Sequence, residues 1–254
     1  MPAHDWAALA ADLRSTLKPS AEPIAITFSD QADPGVPAFD EPMSPPTDDG
    51  RTGRVPAGCV FWMKSTDRTF ATAPEDHGNC SVGSITHGLK TLGEVAGNSD
   101  VAALLSTGWV TEHDVPGIPV VTKRPTSIIY GPLAETPVDP DVVLLRLTPK
   151  AMMVLSDALP NLRIEGKPQC HIVAIAKEHG QAAASVGCML SRVRTGMSNN
   201  EMTAALPAPQ LGEIVERLRN AVAIDGTVGR YAAEDSRRFG EGRFAGAQAP
   251  ALAE

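Results

Sequence analysis

Apolar residues recur along this chain at two different periods, and the alternation between them sets the expected architecture. Residues 6–17, WAALAADLRSTL, carry Trp6, Leu9, Ala10 and Leu13 at helical spacing. PIAITFS at 23–29 reads as a strand, and residues 30–56 as a long loop rich in Pro, Asp and Gly. A helix is expected over 58–65 with Cys59 in its first turn, then a strand at 68–73, then a helix over Asn79–Leu92 with Cys80 near its start. SDVAALLST at 99–107 opens with a serine cap and predicts a further helix. Strands are expected at 126–130 and 141–147, and a helix over 149–159 beginning at Pro149, a favoured first helical position. Residues 170–177 fit a helix or a buried strand, 182–188 a strand, and Pro209 to Val222 a helix with Leu211, Ile214, Val215 and Leu218 on one face. From about 226 the pattern weakens, and the end of this tail is expected to be poorly ordered. Strands interleaved with helices predict an α/β or α+β fold.

Two stretches of this pattern look like copies of one device. Cys59 opens an apolar run ending in Lys64, and Cys80 follows 21 positions on. Cys170 opens a run ending in Lys177, and Cys188 follows 18 positions on. A glycine stands eight residues after the second cysteine of each pair, Gly88 and Gly196. The expectation is a pseudo-two-fold internal repeat: two similar halves, about 20–110 and 125–222, forming one compact unit around a mixed sheet, with residues 1–225 as a single domain and 226–254 as a tail. Such a two-fold would bring all four sulfurs of the chain to one place. Four thiolates there would bind a soft metal or an iron–sulfur cluster.

Composition narrows the classes. The 254 residues are 43% hydrophobic and 20% charged, as in an ordinary globular protein. Only 4% are aromatic, so Ala, Val and Leu must build the core. The net charge of −8, with no stripe of Lys and Arg, argues against nucleic acid. No apolar run is long enough to span a membrane, and the N-terminus lacks a signal-peptide pattern, so a cytoplasmic location is expected. There the cysteines would be thiols, ligands or redox groups rather than structural disulfides. The expected partner is a small-molecule substrate, and a homo-oligomer is compatible with the composition.

The chemistry then divides three ways. No CxxC knuckle is present, and ligands spread over about 130 residues suit a [4Fe–4S] cluster better than zinc. Gly58, Gly83 and Gly187 beside the cysteines would let backbone amides approach the cluster. Three ligating cysteines would leave one iron open for Lewis-acid work; four would favour electron transfer or a structural role. His77 and His87 flank Cys80 and are candidate acid–base groups or replacement ligands, against the alternatives of a polar loop for His77 and a solvent-facing helix position for His87. His171, next to Cys170, is a weaker candidate, and these residues could instead hold non-covalent haem. Without metal, Cys80 at a helix start could be a nucleophile with a histidine as base. Lys64 and Lys177 could steer an anion or reach to water, Arg192 and Arg194 could fork a carboxylate, and Tyr130 could donate a hydrogen bond in a pocket. No phosphate loop, dinucleotide fingerprint or GxSxG elbow is present.

GCVFWMK, CSVGSITHG, SIIYGPL, DPDVVLLRLTPKAMMVL, SVGCMLSR and ALPAPQLGEIVERL together resemble the DUF169 family of uncharacterised prokaryotic proteins over roughly residues 20 to 222. The resemblance implies a cysteine at each of the four places. It carries no established chemistry. Members usually show a CPGG-like stretch where this chain has Cys80-Ser81-Val82-Gly83, so the first glycine of that turn is missing here.

Overall fold

The computed structural model describes residues 4–31, 33–41, 53–166 and 168–240. Seven strands form one mixed sheet: β1 (Ile24–Ser29), β2 (Phe70–Thr72), β3 (Ser127–Pro132), β4 (Val142–Leu147), β5 (Arg163–Glu165), β6 (Ala183–Ser185) and β7 (Met202–Pro207). Their order is β2-β3-β1-β4-β7-β6-β5, antiparallel throughout except for the parallel pair β5–β6. An isolated parallel bridge, Ala38 to Ala71, lies on the opposite edge against β2.

Helices cover both faces, which explains why the strands read as near-continuous apolar runs rather than alternating ones. In β4, Val143, Leu145 and Leu147 face one helical layer while Val142 and Leu144 face the other. The first layer is α1 (Trp6–Leu17), α6 (Pro149–Ala158) and α9 (Leu211–Gly240), packed through Leu13, Leu17, Leu155, Leu211 and Leu218. The second contains α2 (Cys59–Lys64), α3 (Ser81–Thr86) and α7 (His171–His179), packed through Phe61, Trp62, Val82, Ile172 and Ile175. The short helices α4 (Leu92–Val95), α5 (Ser99–Ser106) and α8 (Met189–Thr195) complete the chain order, and α8 lies against α2.

Several expectations are corrected. The single helix expected over Asn79–Leu92 is broken: α3 stops at Thr86, Gly88 turns left-handed at φ +70°, and α4 restarts behind the Thr91–Glu94 capping box. The cap of α5 falls on Asn98 rather than Ser99. Residues 170–177 form a helix whose Ile172 to Ala176 are all buried, so no polar face revealed its period. The tail from 226 is not patternless in structure: α9 continues to Gly240, with the Glu234–Arg238 pair at i,i+4 supporting its exposed end. The expectation about the end of the tail falls on 241–254, outside the described residues. Strands β5 and β7 and helix α8 were not foreseen. β7 is alanine-rich, and Ala204 and Ala205 suit a strand only because small side chains let helices close on both faces.

No described helix is long and apolar enough to cross a membrane.

Candidate functional site

Each cysteine sits at the start of a helix in the second layer or beside it. Cys59 is the first residue of α2, and Cys80, Cys170 and Cys188 immediately precede α3, α7 and α8. The sheet is what joins them: β1 and β4 pair near its middle, and α2, α3 and α7 pack on the same face of it. All four side chains line one cavity of about 30 Å³, together with Gly58, Gly83, His87, Gln169 and Ser191. All four are free thiols. Cys170 and Cys188 are buried, and Cys59 and Cys80 keep part of their surface. No group of three or more Cys, His, Asp or Glu side chains among the described residues is arranged to hold a single metal ion.

Burial dominates the electrostatics. It pushes the Cys59 thiol up to about 12, against a hydrogen bond with Ser191 that favours the thiolate, and the neighbouring Cys80 and Cys188 push in the same direction as burial. Cys170 is pushed well above its ordinary value by burial and then by Cys80, while the Thr86 hydroxyl, 3.7 Å from its sulfur, works the other way. Cys80 is also raised, again chiefly by burial. The Gly83 amide and the Arg194 guanidinium favour its thiolate, and Asp100 and Cys188 disfavour it. At Cys80 desolvation outweighs the amide hydrogen bond at its helix start. Asp100, from α5, accepts from the Ser81 amide at 2.9 Å and the Ser81 hydroxyl at 2.7 Å, and so ties the start of α3 in place.

Both histidines beside Cys80 are buried, contrary to the solvent-facing alternatives. His77 ends the turn Pro74–His77, 2% exposed, with Nε2 at 2.9 Å from the Thr72 hydroxyl. His87 is 1% exposed, its ring stacked on Phe28 at 5.9 Å and its Nδ1 at 2.8 Å from the Gly83 carbonyl. Burial lowers His77 well below its ordinary range, with His87 adding to the effect, and lowers His87 to about 4. Both are uncharged at neutral pH. The two rings stand 6.2 Å apart, and of the pair only His87 lines the cavity. His171 is likewise buried, with Nδ1 at 3.5 Å from Glu165 and outside the cavity lining.

The remaining expected site residues fall elsewhere. Lys64 is paired with Glu41 at 2.5 Å, and Lys177 with Asp141 at 3.0 Å. Arg192 spends its guanidinium on the backbone carbonyls of Val186, Ser198 and Glu201, so it clamps the turn after β6 rather than presenting a fork to a ligand. Gly187 lies beneath that guanidinium with φ +118°; a side chain there would collide with it, and this is its role rather than an opening toward the cysteines. Arg194 reaches the Asn79 carbonyl at 3.5 Å and so stands by Cys80. Tyr130 is fully buried, stacked on Phe61 at 5.7 Å, and its hydroxyl is pushed up first by burial and then by the neighbouring Cys59. Buried polar atoms without a protein partner gather around this region: His87 Nε2, His77 Nδ1, Tyr130 Oη, Trp62 Nε1 and Gln169 Oε1. Ser191 and Gln169 were missed from the sequence. Gln169 donates to Ser191 at 2.7 Å, and the signal for Ser191 was its position one helical turn after Cys188.

No curated protein and no solved structure matches this chain. A family described as uncharacterised ArCR does match, over residues 12–217, and with most of its length and all four cysteines inside that match the chain belongs to the DUF169 family.

Proposed function

We propose that this protein binds an iron–sulfur cluster of the [4Fe–4S] type through Cys59, Cys80, Cys170 and Cys188, and that it is an enzyme acting on a small molecule. The observation that carries the reading is the meeting of the only four cysteines of the chain on one cavity from two separate stretches of sequence. Four thiols lining one cavity with little solvent make a poor resting arrangement unless something soft binds them. The buried polar atoms that lack protein partners around the cavity point the same way. A cluster suits the site better than one zinc ion, because the four ligands come singly from four helix starts, with no close pair pinning a short loop. The raised thiols speak against a metal-free cysteine nucleophile.

We also infer an internal two-fold. The strand order outward from the central pair is β1-β3-β2 on one side and β4-β7-β6 on the other. In chain order β1, α2, β2, α3, β3 corresponds to β4, α7, β6, α8, β7, and the parallel bridge Ala38–Ala71 corresponds to the parallel pair β5–β6. Gly88 and Gly196 end the matched helices with φ +70° and +69°.

When bound, such a cluster supplies one-electron chemistry or an open iron acting as a Lewis acid. The chain's own residues would then set the conditions. Ser191, held by Gln169, donates toward Cys59; the Gly83 amide and Arg194 offset negative charge at Cys80; the surrounding apolar side chains exclude water. Cys→Ser at each of the four positions tests the reading: iron content of anaerobically purified protein should fall in every variant, most at Cys80, and unchanged iron in all four would refute it.

A further inference from the structure

Helix α9 outruns the body it packs on. Ala221 is the last buried residue among its described side chains, yet the helix runs on to Gly240. Its rotation is fixed from two sides. Arg219 pairs with Asp12 of α1 at 2.7 Å, and Asp225 pairs with Lys150 of α6. At about 100° per residue, the side turned away from both carries Ile224, Val228 and Tyr231. These are 65%, 57% and 70% exposed. An ion pair flanks this apolar stripe at each end, Glu213 with Arg217 at 2.5 Å and Glu234 with Arg238 at 2.5 Å. Gly226 and Gly229 lie within the exposed stretch, and nothing stands within 4 Å of where a Gly229 side chain would start. Glycine weakens a solvated helix, so this stretch is poorly built to stand alone in water.

We propose that a second copy of this chain covers the stripe, with α9 lying antiparallel on α9 about a two-fold axis. Charge decides both the occupant and the direction. With Ile224 of each copy beside Val228 of the other, Glu213 falls beside the second copy's Arg238, and Arg217 beside its Glu234 and Asp235. Every end charge then meets its opposite, and the apolar side chains meet in the middle. A parallel pair would instead set Glu213 on Glu213 and Arg238 on Arg238. The cysteine cavity belongs to the helical layer on the far side of the sheet, so the pairing leaves it uncovered. The dimer therefore does not depend on what the cysteines bind.

Sedimentation velocity of the full chain tests this. One helix face per copy is at the small end of specific interfaces, so association is expected in the micromolar range, and a series from ~1 to ~300 μM spans it. Ile224→Glu puts a carboxylate from each copy into the middle of the contact and should weaken the dimer by about tenfold or more. Ile224 is exposed in the single chain, so helical circular dichroism and iron content should match wild type. A charge series tests the same contact without touching its apolar centre. Glu213→Arg and Arg238→Glu should each weaken the dimer, by about threefold to tenfold, and the double variant should return to within about threefold of wild type. Within one copy the two positions stand about 38 Å apart along the helix, so that recovery arises only across the contact. A monomer at every concentration overturns the proposal, whether residues 241–254, another protein or water then covers the stripe. A dimer that Ile224→Glu leaves intact overturns it too, as does a double variant no tighter than the single ones.

Discussion

Tyr130→Phe is the substitution whose outcome the interior of this protein determines most closely. Tyr130 lies mid-strand in β3, opposite Ile26 of β1 and Phe70 of β2, with none of its surface exposed. Its ring packs on Phe61 at 5.7 Å and on Phe70 at 6.0 Å, contacts that phenylalanine keeps. Only the hydroxyl is lost, and that hydroxyl has no partner in the protein. An unsatisfied buried hydroxyl costs about 1–3 kcal/mol of desolvation, so its removal should stabilise the metal-free protein by that amount. For a chain of this size that is a rise in Tm of roughly 2–12 °C. The assay is urea unfolding of the metal-free protein under reducing conditions, with the midpoint rising and the slope m unchanged. A midpoint lower by about 1 kcal/mol or more would refute the reasoning, because it would mean that the hydroxyl has a partner in the folded state.

Other perturbations follow from the same structure. Glu201→Gln leaves Arg146, which is 14% exposed at its side chain, without its bidentate partner at 2.8 Å, and should cost about 3–5 kcal/mol by denaturant titration. Burial pushes the Glu201 carboxyl up, but Arg146 and the Ser198 amide outweigh it and hold it below the ordinary value. Its contribution is therefore full above the unfolded carboxylate range and fades as pH falls through the folded value, which an acid unfolding curve of wild type against E201Q would show. Gly196→Ala meets open space and should cost about 1–2 kcal/mol for left-handed strain alone, whereas Gly88→Ala also collides with the Val121 carbonyl and should cost distinctly more; equal losses in thermal unfolding would contradict this. In metal-free protein at pH 7.5 the raised thiols of Cys59, Cys80 and Cys170 should alkylate far more slowly than in urea, and one thiol labelled as fast as a free cysteine would restore the nucleophile reading.

The parts of the fold that were legible are those where one face of an element stays polar. The span of α1 follows from its apolar spacing, and α6 begins at Pro149 behind a Thr148 side chain that accepts from Ala151. Elements buried on both sides lost their period: α7 was ambiguous, and β7 was passed over because alanine argues for helix until the helices packed above and below it are known. At the site, the paired cysteine contexts were visible because Cys59 to Cys80 and Cys170 to Cys188 span similar sequence intervals. The charged residues were misread because their partners are distant in sequence, Glu41 for Lys64 and the carbonyls at 186, 198 and 201 for Arg192. Polarity around the histidines misled in the same way. EDHGN looks solvated, yet Phe61, 4.7 Å from the His77 ring, and Phe28 over His87 enclose both.

The most direct test of the central claim is the iron and acid-labile sulfide content of the full chain purified without oxygen. The account predicts about four of each per chain, with a broad absorption near about 400 nm from thiolate-bound iron. Colourless protein, free of iron and sulfide even after reconstitution with both, would contradict it.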